Sequence, residues 1–189
     1  MKRQQPGKAI RYIEINDSPV GPISLLAADG RLCRLEFGRM EERREALAAW
    51  AAAHGLPGEF VHAPEDPILR EAASQLAEYF RGERVRFELP TAMYGTPFQQ
   101  AVWAALAAIP YGEVRSYKAL AAAIGRPSAV RAVGGANNRN PLPIIVPCHR
   151  VVGADGALVG YAGGLEAKSY LLELERRAAG VARPLAGVL

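Results

Sequence analysis

The sequence contains few residues that could bind a metal ion or form disulfides. Among its 189 residues are two cysteines, Cys33 and Cys148, and three histidines, His54, His62 and His149. None of these lies at the short spacings typical of protein zinc sites, so we expect no metal and no other cofactor. We also expect both thiols to be free, because a two-cysteine chain without a secretion signal is more often reduced.

Long apolar runs are also absent. No stretch reaches the roughly 18 apolar residues that a membrane span needs, and the start, MKRQQPGKAIRYIEIND, lacks the apolar core of a signal peptide. Half of the residues are hydrophobic, which at this length is enough for a substantial core. We therefore expect a folded cytoplasmic protein that does not associate with membranes.

Acidic residues are scarce in the second half. Residues 1–90 carry 13 basic and 14 acidic side chains, whereas residues 91–189 carry 10 basic and 5 acidic ones. The net positive charge therefore lies in the second half of the chain. A region that binds a polyanion needs such a charge, but a surface charge of this size is also common in proteins that bind none.

The first third of the chain has strand and helix patterns. RYIEI is typical of a strand, and GPISLLAADGRLCRLEF predicts two strands joined by a turn at Asp29-Gly30. Cys33 lies in the second of these strands, where we interpret it as a small core residue. An Ala- and Arg-rich helix is predicted near residues 40–54.

A second helix is predicted near residues 66–81, begun by Asp66-Pro67 and ended by Gly82. VRFEL then predicts a last strand. The composition changes at TAMYGTP, and the division into domains is predicted at this point, as residues 1–91 and 92–189.

The second domain is predicted to be mainly helical. FQQAVWAALAAI has helical spacing and stops at Pro110-Tyr111-Gly112. SYKALAAAIG and SAVRAVGGANNRN predict a helix-turn-helix, with Gly125 closing the first helix and Ser128 capping the second. The end of the chain, residues 180–189, is predicted to be loosely attached.

The second helix of this pair is unusually slim. Gly134-Gly135 inside a helix costs roughly 1–2 kcal/mol relative to two alanines, so the small residues need a reason. Close packing against another helix is one reason. Entry into a narrow groove of DNA is another, with Arg131 filling the space left by a base turned out of the stack.

The segment PIIVPCHRV places Cys148 beside His149. Three prolines in PLPIIVP exclude a helix, and residues 144–146 are predicted as a short buried extended segment. A thiol at its end is reactive only if a base such as His149 can reach it; taken alone, the segment favours a core cysteine.

A helix is predicted in GLEAKSYLLELERR, where Glu175 follows Leu171 and Leu172 at helical spacing. That spacing allows Glu175 to point inward, where it would need a partner such as a histidine, or to remain an exposed ion-pairing residue.

Three stretches together resemble the O6-alkylguanine-DNA alkyltransferase family: GTPFQQAVWAALAAIPYGEVRSYKALA, RAVGGANNRNPLPIIVPCHRVV and GYAGGLEAKSYLLELE. The resemblance implies an α+β fold, with an RNase H-like α/β domain followed by a mainly helical domain with a winged-helix-like helix-turn-helix. It implies a single transfer of a methyl or other alkyl group from guanine O6 in double-stranded DNA, and it leaves open whether O4-alkylthymine is also a substrate. It also implies a monomer, with scope for cooperative clustering on DNA.

The resemblance assigns roles by position. Cys148 would accept the alkyl group, His149 would deprotonate it through a water, and Glu175 would orient the histidine. Asn140 would brace the turn before the cysteine, and Tyr117 would donate toward guanine N3 and rotate the 3′ phosphate.

The DNA contacts implied by the resemblance lie on the helix pair. Arg131 would replace the flipped base; the other expected contacts are Tyr117, Lys118, Arg126, Ala129, Ala132 and Gly134. The pocket for guanine would be lined by Tyr117, Pro143, Val151, Tyr161, Ala162 and Gly163, with the Cys148 carbonyl. Ala162 stands where many members have serine, and since the expected contact is a backbone N–H we expect little effect.

Three other readings are weighed against this one. Alkyltransferase-like proteins bind alkylated DNA without repairing it, but they carry tryptophan at the acceptor position. A cysteine hydrolase would need an oxyanion hole and would leave the slim helix without a purpose. A transcription factor would more commonly show polar readers on its second helix, where the segment 129–136 has few.

Overall fold

Residues 9–180 are described by the computed structural model; the predicted loose tail, residues 180–189, lies outside this range except for its first residue. In chain order the elements are β1 (Ile10–Ile15), β2 (Ile23–Ala28), β3 (Arg31–Phe37), α1 (Met40–Ala53), β4 (Phe60–His62), α2 (Pro67–Phe80), α3 (Pro97–Ala107), β5 (Arg115–Ser116), α4 (Tyr117–Ala123), α5 (Val130–Asn138), a 3-10 turn (Cys148–Arg150), β6 (Val151–Val152) and α6 (Gly164–Ala178). The expected α+β class is confirmed.

A four-stranded sheet in the order β3-β2-β1-β4 forms the N-terminal half. Strand β2 is antiparallel to β1 and β3, whereas β4 runs parallel to β1. Every residue of β2 is buried, because the sheet is covered on both faces. Leu25 faces a core that continues into the C-terminal half, and Leu26 faces a smaller core under α1 with Cys33. This alternation is the period of two expected of a strand.

In the N-terminal half, the residues predicted to form the hairpin turn and to begin and end α2 do so. The β2–β3 turn has left-handed backbone at Asp29 (φ 50°) and Gly30 (φ 71°), as a tight two-residue hairpin requires. The carboxylate of Asp66 accepts hydrogen bonds from the amides of Ile68 and Leu69 at 3.1 and 3.2 Å, which caps α2. Gly82, with φ 73°, follows its last turn.

The predicted strand VRFEL is wrong. Residues 85–89 form no strand, because a side chain supplies the hydrogen bonds that a neighbouring strand would have given. Buried Gln75 of α2 donates to the Glu88 carbonyl at 3.1 Å and accepts from the Glu88 amide at 2.9 Å. The fourth strand is instead β4, a segment that the sequence pattern did not single out.

The helix-turn-helix is confirmed as α4 and α5, with one correction at a cap. Gly125 (φ 69°) closes α4, and the Arg126 amide donates to the Ala121 carbonyl at 2.9 Å. Ser128 does not cap α5, which follows Ala129 without a side-chain cap. Ser116 has that role for α4, accepting from the Ala119 amide at 3.1 Å.

Residues 141–147 form turns rather than the predicted extended segment. The side chain of Asn140 closes this loop: its amide donates to the Val146 carbonyl at 2.7 Å, and its oxygen accepts from the Leu142 amide at 3.0 Å. Ile144 has φ 72°, a costly conformation for a β-branched residue. The loop is therefore held in place by contacts that outweigh local preference.

Within residues 9–180, no helix combines the length and the hydropathy needed to cross a membrane.

We expect Gly95→Ala to destabilise the fold. A Cβ at this position would lie 2.6 Å from Cζ3 of buried Trp103, whose indole N–H donates to the Ala136 carbonyl at 2.9 Å and joins α3 to α5. Displacing that ring should lower the free energy of unfolding by about 1–3 kcal/mol in urea titrations. Gly58→Ala is the control, because its Cβ would meet no atom within 4 Å. Equal effects of the two changes would contradict this explanation.

Candidate active site

The carboxylate of Glu175 lies at the centre of the site. Its side chain extends inward from α6 and is fully buried, which decides between the inward and exposed orientations that its spacing allowed. Oε1 accepts hydrogen bonds from the Tyr79 hydroxyl at 2.7 Å, from His149 Nε2 at 2.8 Å and from Arg150 Nη2 at 2.9 Å. Oε2 accepts from Arg150 Nε at 2.8 Å and from the Gly112 amide at 3.1 Å.

These donors keep Glu175 ionised. Burial alone would raise its pKa, but the hydrogen bonds from His149 and Arg150 and the charge of Arg150 outweigh burial and hold the pKa at about 2. Arg150, which also donates to the Ile109 carbonyl at 2.5 Å, therefore balances a buried negative charge.

His149 is a neutral imidazole with one nitrogen available. Burial lowers its pKa, although Glu175 opposes this effect. Since an ionised carboxylate only accepts, Nε2 must carry the proton that is donated to Glu175, which leaves Nδ1 as the acceptor. Nδ1 is buried and has no hydrogen-bond partner among residues 9–180. The histidine is thus oriented as a base with a free lone pair.

Cys148 begins the 3-10 turn and is 3% exposed. Burial raises the pKa of its thiol to about 11, although the side chain of Asn140 and the charge of Lys168 act to lower it. At neutral pH the thiol is therefore protonated, and a base must remove its proton before it can act as a nucleophile.

Lys168 is a site residue that the sequence interpretation missed. Its ammonium group donates to the carbonyls of Val151 at 2.6 Å and Val159 at 2.7 Å, and so ties β6 to the loop before α6. Burial lowers its pKa to about 8. Lys168 lies three, four and seven residues before Leu171, Leu172 and Glu175, so the helical spacing that indicated Glu175 could also have indicated this lysine.

Arg150 and Tyr79 were missed as well. Arg150 directly follows the Cys-His pair, and its position within PCHRV was a usable signal. Tyr79 lies on the apolar face of α2, seventy residues from His149, and no local pattern distinguishes it from a core residue.

The residues expected to form the guanine pocket differ in burial, and two of them interact with the cysteine. Tyr117 and Tyr161 both have pKa values raised by burial and by the nearby Cys148. The Tyr161 hydroxyl is buried without a hydrogen-bond partner in the described part of the chain. Pro143 and Val151 are buried, whereas Ala162 is exposed.

The loop that carries Tyr161 packs against the sheet. The Phe37 and Tyr161 rings meet edge to face at 5.5 Å between centroids. A Cβ at Gly163 would lie 2.8 Å from the Phe37 ring, so this position requires glycine for the close approach. The N-terminal half thereby fixes one wall of the expected pocket.

A separate cleft of about 460 Å³ lies beside this loop. Asn140, Pro143 and Ala162 border it, and about half of its other lining residues, including Arg34 and Trp50, come from the N-terminal half. Cys148 is not among its lining residues. We therefore do not assign it as the pocket for guanine.

The helix pair presents an exposed cationic surface. Between Glu113 and Asp155 the sequence has no acidic residue, and Lys118, Arg126 and Arg131 are all exposed. The smaller residues expected to contact DNA are exposed at Ala132 and partly exposed at Ala129, Gly134 and Tyr117. The expected contact residues are thus accessible on the two helices and on the turn between them.

The slimness of α5 is not explained by packing within the protein. A Cβ at Gly134 would lie 3.9 Å from the Tyr117 ring, and one at Gly135 would lie 3.3 Å from the flexible end of Arg139. Alanine would therefore fit at Gly134 and would need a small shift at Gly135, so neighbouring helices do not demand glycine. This favours the alternative in which the helix approaches another molecule closely.

Two family models cover most of the chain. The ribonuclease-like domain of 6-O-methylguanine DNA methyltransferase matches residues 10–93, and the DNA binding domain of the same family matches residues 97–177. The chain belongs to this family. Its reaction is the transfer of a methyl group from DNA to a protein cysteine, a step of DNA repair, and the resemblance drawn from the sequence is confirmed.

Sequence and structural similarity to individual proteins supports this assignment. A methylated-DNA–protein-cysteine methyltransferase of Methanosarcina barkeri is 48% identical over 164 residues, which is 87% of this chain and 96% of the relative. The constitutive methyltransferase of Bacillus subtilis is 47% identical over 168 residues, covering 88% and 96%. The crystal structure of Mycobacterium tuberculosis OGT in complex with DNA superposes with a TM-score of 0.73 at 43% identity, covering 90% and 94% of the two chains.

We expect Glu175→Gln to destabilise the methyltransferase in a pH-dependent way. At pH 7 the change leaves Arg150 buried without its counter-charge, which should cost about 3–5 kcal/mol. Because the pKa of Glu175 is lowered from 4.5 to about 2, its stabilising effect is complete above pH 4.5 and is lost as the pH falls toward 2. Urea titrations should therefore show a difference between wild type and variant that shrinks over this range.

Glu173→Gln is the matched control, since Glu173 pairs with Arg176 and Arg177 at the surface of the same helix. Its effect at pH 7 should be much smaller. If the difference in unfolding free energy between wild type and Glu175→Gln stays constant from pH 7 to pH 3, the lost negative charge is not the cause of the destabilisation.

Proposed function

We propose that Cys148 is the residue that accepts the alkyl group from O6 of an alkylated guanine in double-stranded DNA. The observation that carries this proposal is the buried His149–Glu175 pair next to Cys148 in the chain. Nδ1 of His149 has a lone pair with no hydrogen-bond partner within residues 9–180. A base held in this way can take the thiol proton when a substrate arrives.

In the proposed transfer, the residues of the site account for the proton, the two bonds and the electron pair. Nδ1 of His149 receives the thiol proton through a water, and the thiolate sulfur attacks the alkyl carbon. The carbon–sulfur bond forms as the carbon–oxygen bond breaks, and the electron pair remains on guanine O6. Tyr117 donates toward guanine N3 and stabilises the negative charge of the leaving base.

Two neighbours favour the thiolate at the moment of attack. The side chain of Asn140 and the charge of Lys168 both act to lower the pKa of Cys148, against the effect of burial. The product is a thioether, and no group described around Cys148 in residues 9–180 offers a route to break it. Each molecule would then act once, and this would also hold for O4-alkylthymine if that base is accepted.

The DNA-facing surface is proposed to be the helix pair α4–α5. Arg131 would take the place of the flipped base from the minor groove, and Lys118 and Arg126 would contact phosphates, which fix position without reading sequence. The small residues Ala129, Ala132 and Gly134 support a close approach of α5 to the groove. Extruding the base would bring its O6 substituent to the buried thiol.

The guanine pocket is proposed to be formed by Tyr117, Pro143, Val151, Tyr161, Ala162 and Gly163. The unpartnered hydroxyl of Tyr161 supports this, because a buried donor without a partner is costly unless a ligand satisfies it. We retain the division into domains 1–91 and 92–189, a cytoplasmic monomer, and clustering on DNA as parts of the proposal.

The alternatives fit less well. Alkyltransferase-like proteins have tryptophan where this chain has Cys148. A cysteine hydrolase would need a thiol that is activated for repeated turnover, whereas this one is buried with a pKa raised to about 11. A transcription factor would not account for the buried histidine and carboxylate beside a cysteine.

Methyl transfer to Cys148 can be read by intact-protein mass spectrometry. After incubation with duplex DNA containing O6-methylguanine, the protein should gain the mass of one methyl group, and peptide mapping should place it on Cys148. Cys148→Ala should gain none. Cys33→Ala is the matched control and should still be methylated, because Cys33 is buried in β3 under α1. An undiminished gain in Cys148→Ala would refute the assignment.

Arg131→Ala should separate base flipping from chemistry. We expect the variant to lose about tenfold or more in the rate of repair of methylated duplex, because nothing replaces the extruded base. Its rate with free O6-benzylguanine, which needs no flipping, should change little. Arg70→Ala, an exposed arginine on α2, should leave both rates unchanged. Equal losses with both substrates would show that Arg131 is not the flipping residue.

A further inference from the structure

Tyr79 connects the N-terminal half directly to the proposed catalytic base. It lies near the end of α2, fully buried, while earlier residues of this helix such as Leu69 and Leu76 pack in the main core. Its hydroxyl donates to Glu175 Oε1 at 2.7 Å and lies 3.4 Å from His149 Nε2. It is therefore in contact with both members of the pair that orients the base.

Tyr79 and His149 share one oxygen atom. Oε1 accepts from both and from Arg150 Nη2, whereas Oε2 accepts from Arg150 Nε and the Gly112 amide. A donor on Oε1 fixes the direction in which that oxygen faces the imidazole. It also withdraws electron density, so Oε1 attracts the histidine proton less strongly.

We propose that Tyr79 is a positioning residue for alkyl transfer: its hydroxyl holds Glu175 Oε1 in line with His149 and keeps the imidazole neutral. The proposal rests on the proposed function, in which His149 is the base. Tyr79 touches neither the alkyl group nor the thiol and acts through Glu175.

The hydroxyl is a permanent donor. Burial and the negative charge of Glu175 raise the pKa of Tyr79 well above its ordinary value, so it stays protonated across the working range of the protein. Its ring packs against Phe80, Phe87 and Tyr111, with centroids 5.7, 5.4 and 6.1 Å away, which fixes the position of the hydroxyl oxygen.

The other charged or titratable groups around the pair do not replace this donor. Arg150 is already bonded to both oxygens of Glu175, and Lys168 donates to backbone carbonyls. Among residues 9–180, the titratable and charged groups that lie around His149 and Glu175 are Tyr79 from α2, Tyr111 from the turn after α3, Cys148 and Arg150 from the 3-10 turn, Tyr161 from the loop before α6, and Lys168 from α6.

Tyr79→Phe tests the proposal through a pH profile. Loss of the donor leaves Oε1 more negative toward His149, which stabilises the imidazolium and raises its pKa. Since only the neutral imidazole can accept the thiol proton, the acidic limb of the rate profile should move to higher pH, by roughly half to one unit. The maximal rate of methyl transfer should fall about tenfold, because the base is less well oriented.

Tyr111→Phe is the matched control. The Tyr111 hydroxyl is buried and has no hydrogen-bond partner in residues 9–180, so its removal leaves the bonds to Glu175 intact. Tyr111→Phe should keep the wild-type limb. A limb that does not move in Tyr79→Phe, whatever the change in rate, would overturn the proposal, because a purely structural role would not shift a titration.

A second measurement does not depend on activity. The imidazole of His149 can be titrated by NMR in unmethylated protein, since the chain has only two other histidines, His54 and His62. Its pKa should rise in Tyr79→Phe and stay at the wild-type value in Tyr111→Phe; an unchanged value in both would refute the proposal.

His149→Gln distinguishes this inference from the proposed function. If the acidic limb disappears in His149→Gln but does not move in Tyr79→Phe, the role of Tyr79 fails while His149 remains the base. If the limb persists in His149→Gln, the assignment of His149 as the base fails, and the inference about Tyr79 fails with it.

Discussion

The buried carboxylate of Glu175 is the interaction on which the site depends. A carboxylate removed from water is unstable unless its oxygens are fully hydrogen-bonded and its charge is balanced. Here the balance comes from Arg150, and the hydrogen bonds come from α2, from the turn after α3 and from the 3-10 turn. Because these donors lie far apart in the chain, the buried carboxylate has its full set of hydrogen bonds only when both halves have folded around it.

Contacts from both halves also explain why the loop before the cysteine can adopt an unfavourable backbone. Ile144 has a left-handed conformation, and residues 141–147 have no strand partner that would hold them. Asn140 closes the loop through two hydrogen bonds, and the Pro141 carbonyl accepts from the Leu35 amide of β3 at 2.8 Å. The loop is thus fixed from both halves, as is the Tyr161 loop through Phe37. The sheet acts as a scaffold that sets the position of the thiol.

Much of this arrangement could be predicted from the sequence. The remaining parts could not be predicted, and each for a physical reason. Periodicity located most of the helices and the β2–β3 hairpin, and the spacing from Leu171 to Glu175 allowed an inward carboxylate. Lys168 has the same spacing but was missed, because a lysine is rarely buried and its carbonyl partners depend on tertiary structure. VRFEL failed as a strand because Gln75 satisfies the Glu88 backbone, a contact that no local pattern encodes. Tyr79 could not be distinguished from a core aromatic residue, since its proposed role depends on where the tertiary fold places its hydroxyl.

The burial of Cys148 suits a protein that acts once. An exposed thiolate would be oxidised or alkylated by small molecules, and each such event would consume a whole protein molecule. Burial raises the thiol pKa to about 11 and keeps it protonated, while the neutral His149 holds a lone pair ready beside it. In the proposed reaction, proton transfer from Cys148 to His149 produces only a small population of thiolate until an alkyl carbon lies next to the sulfur and attack consumes the thiolate. The high pKa is therefore a safeguard, and reactivity depends on the geometry that Glu175 and its donors maintain.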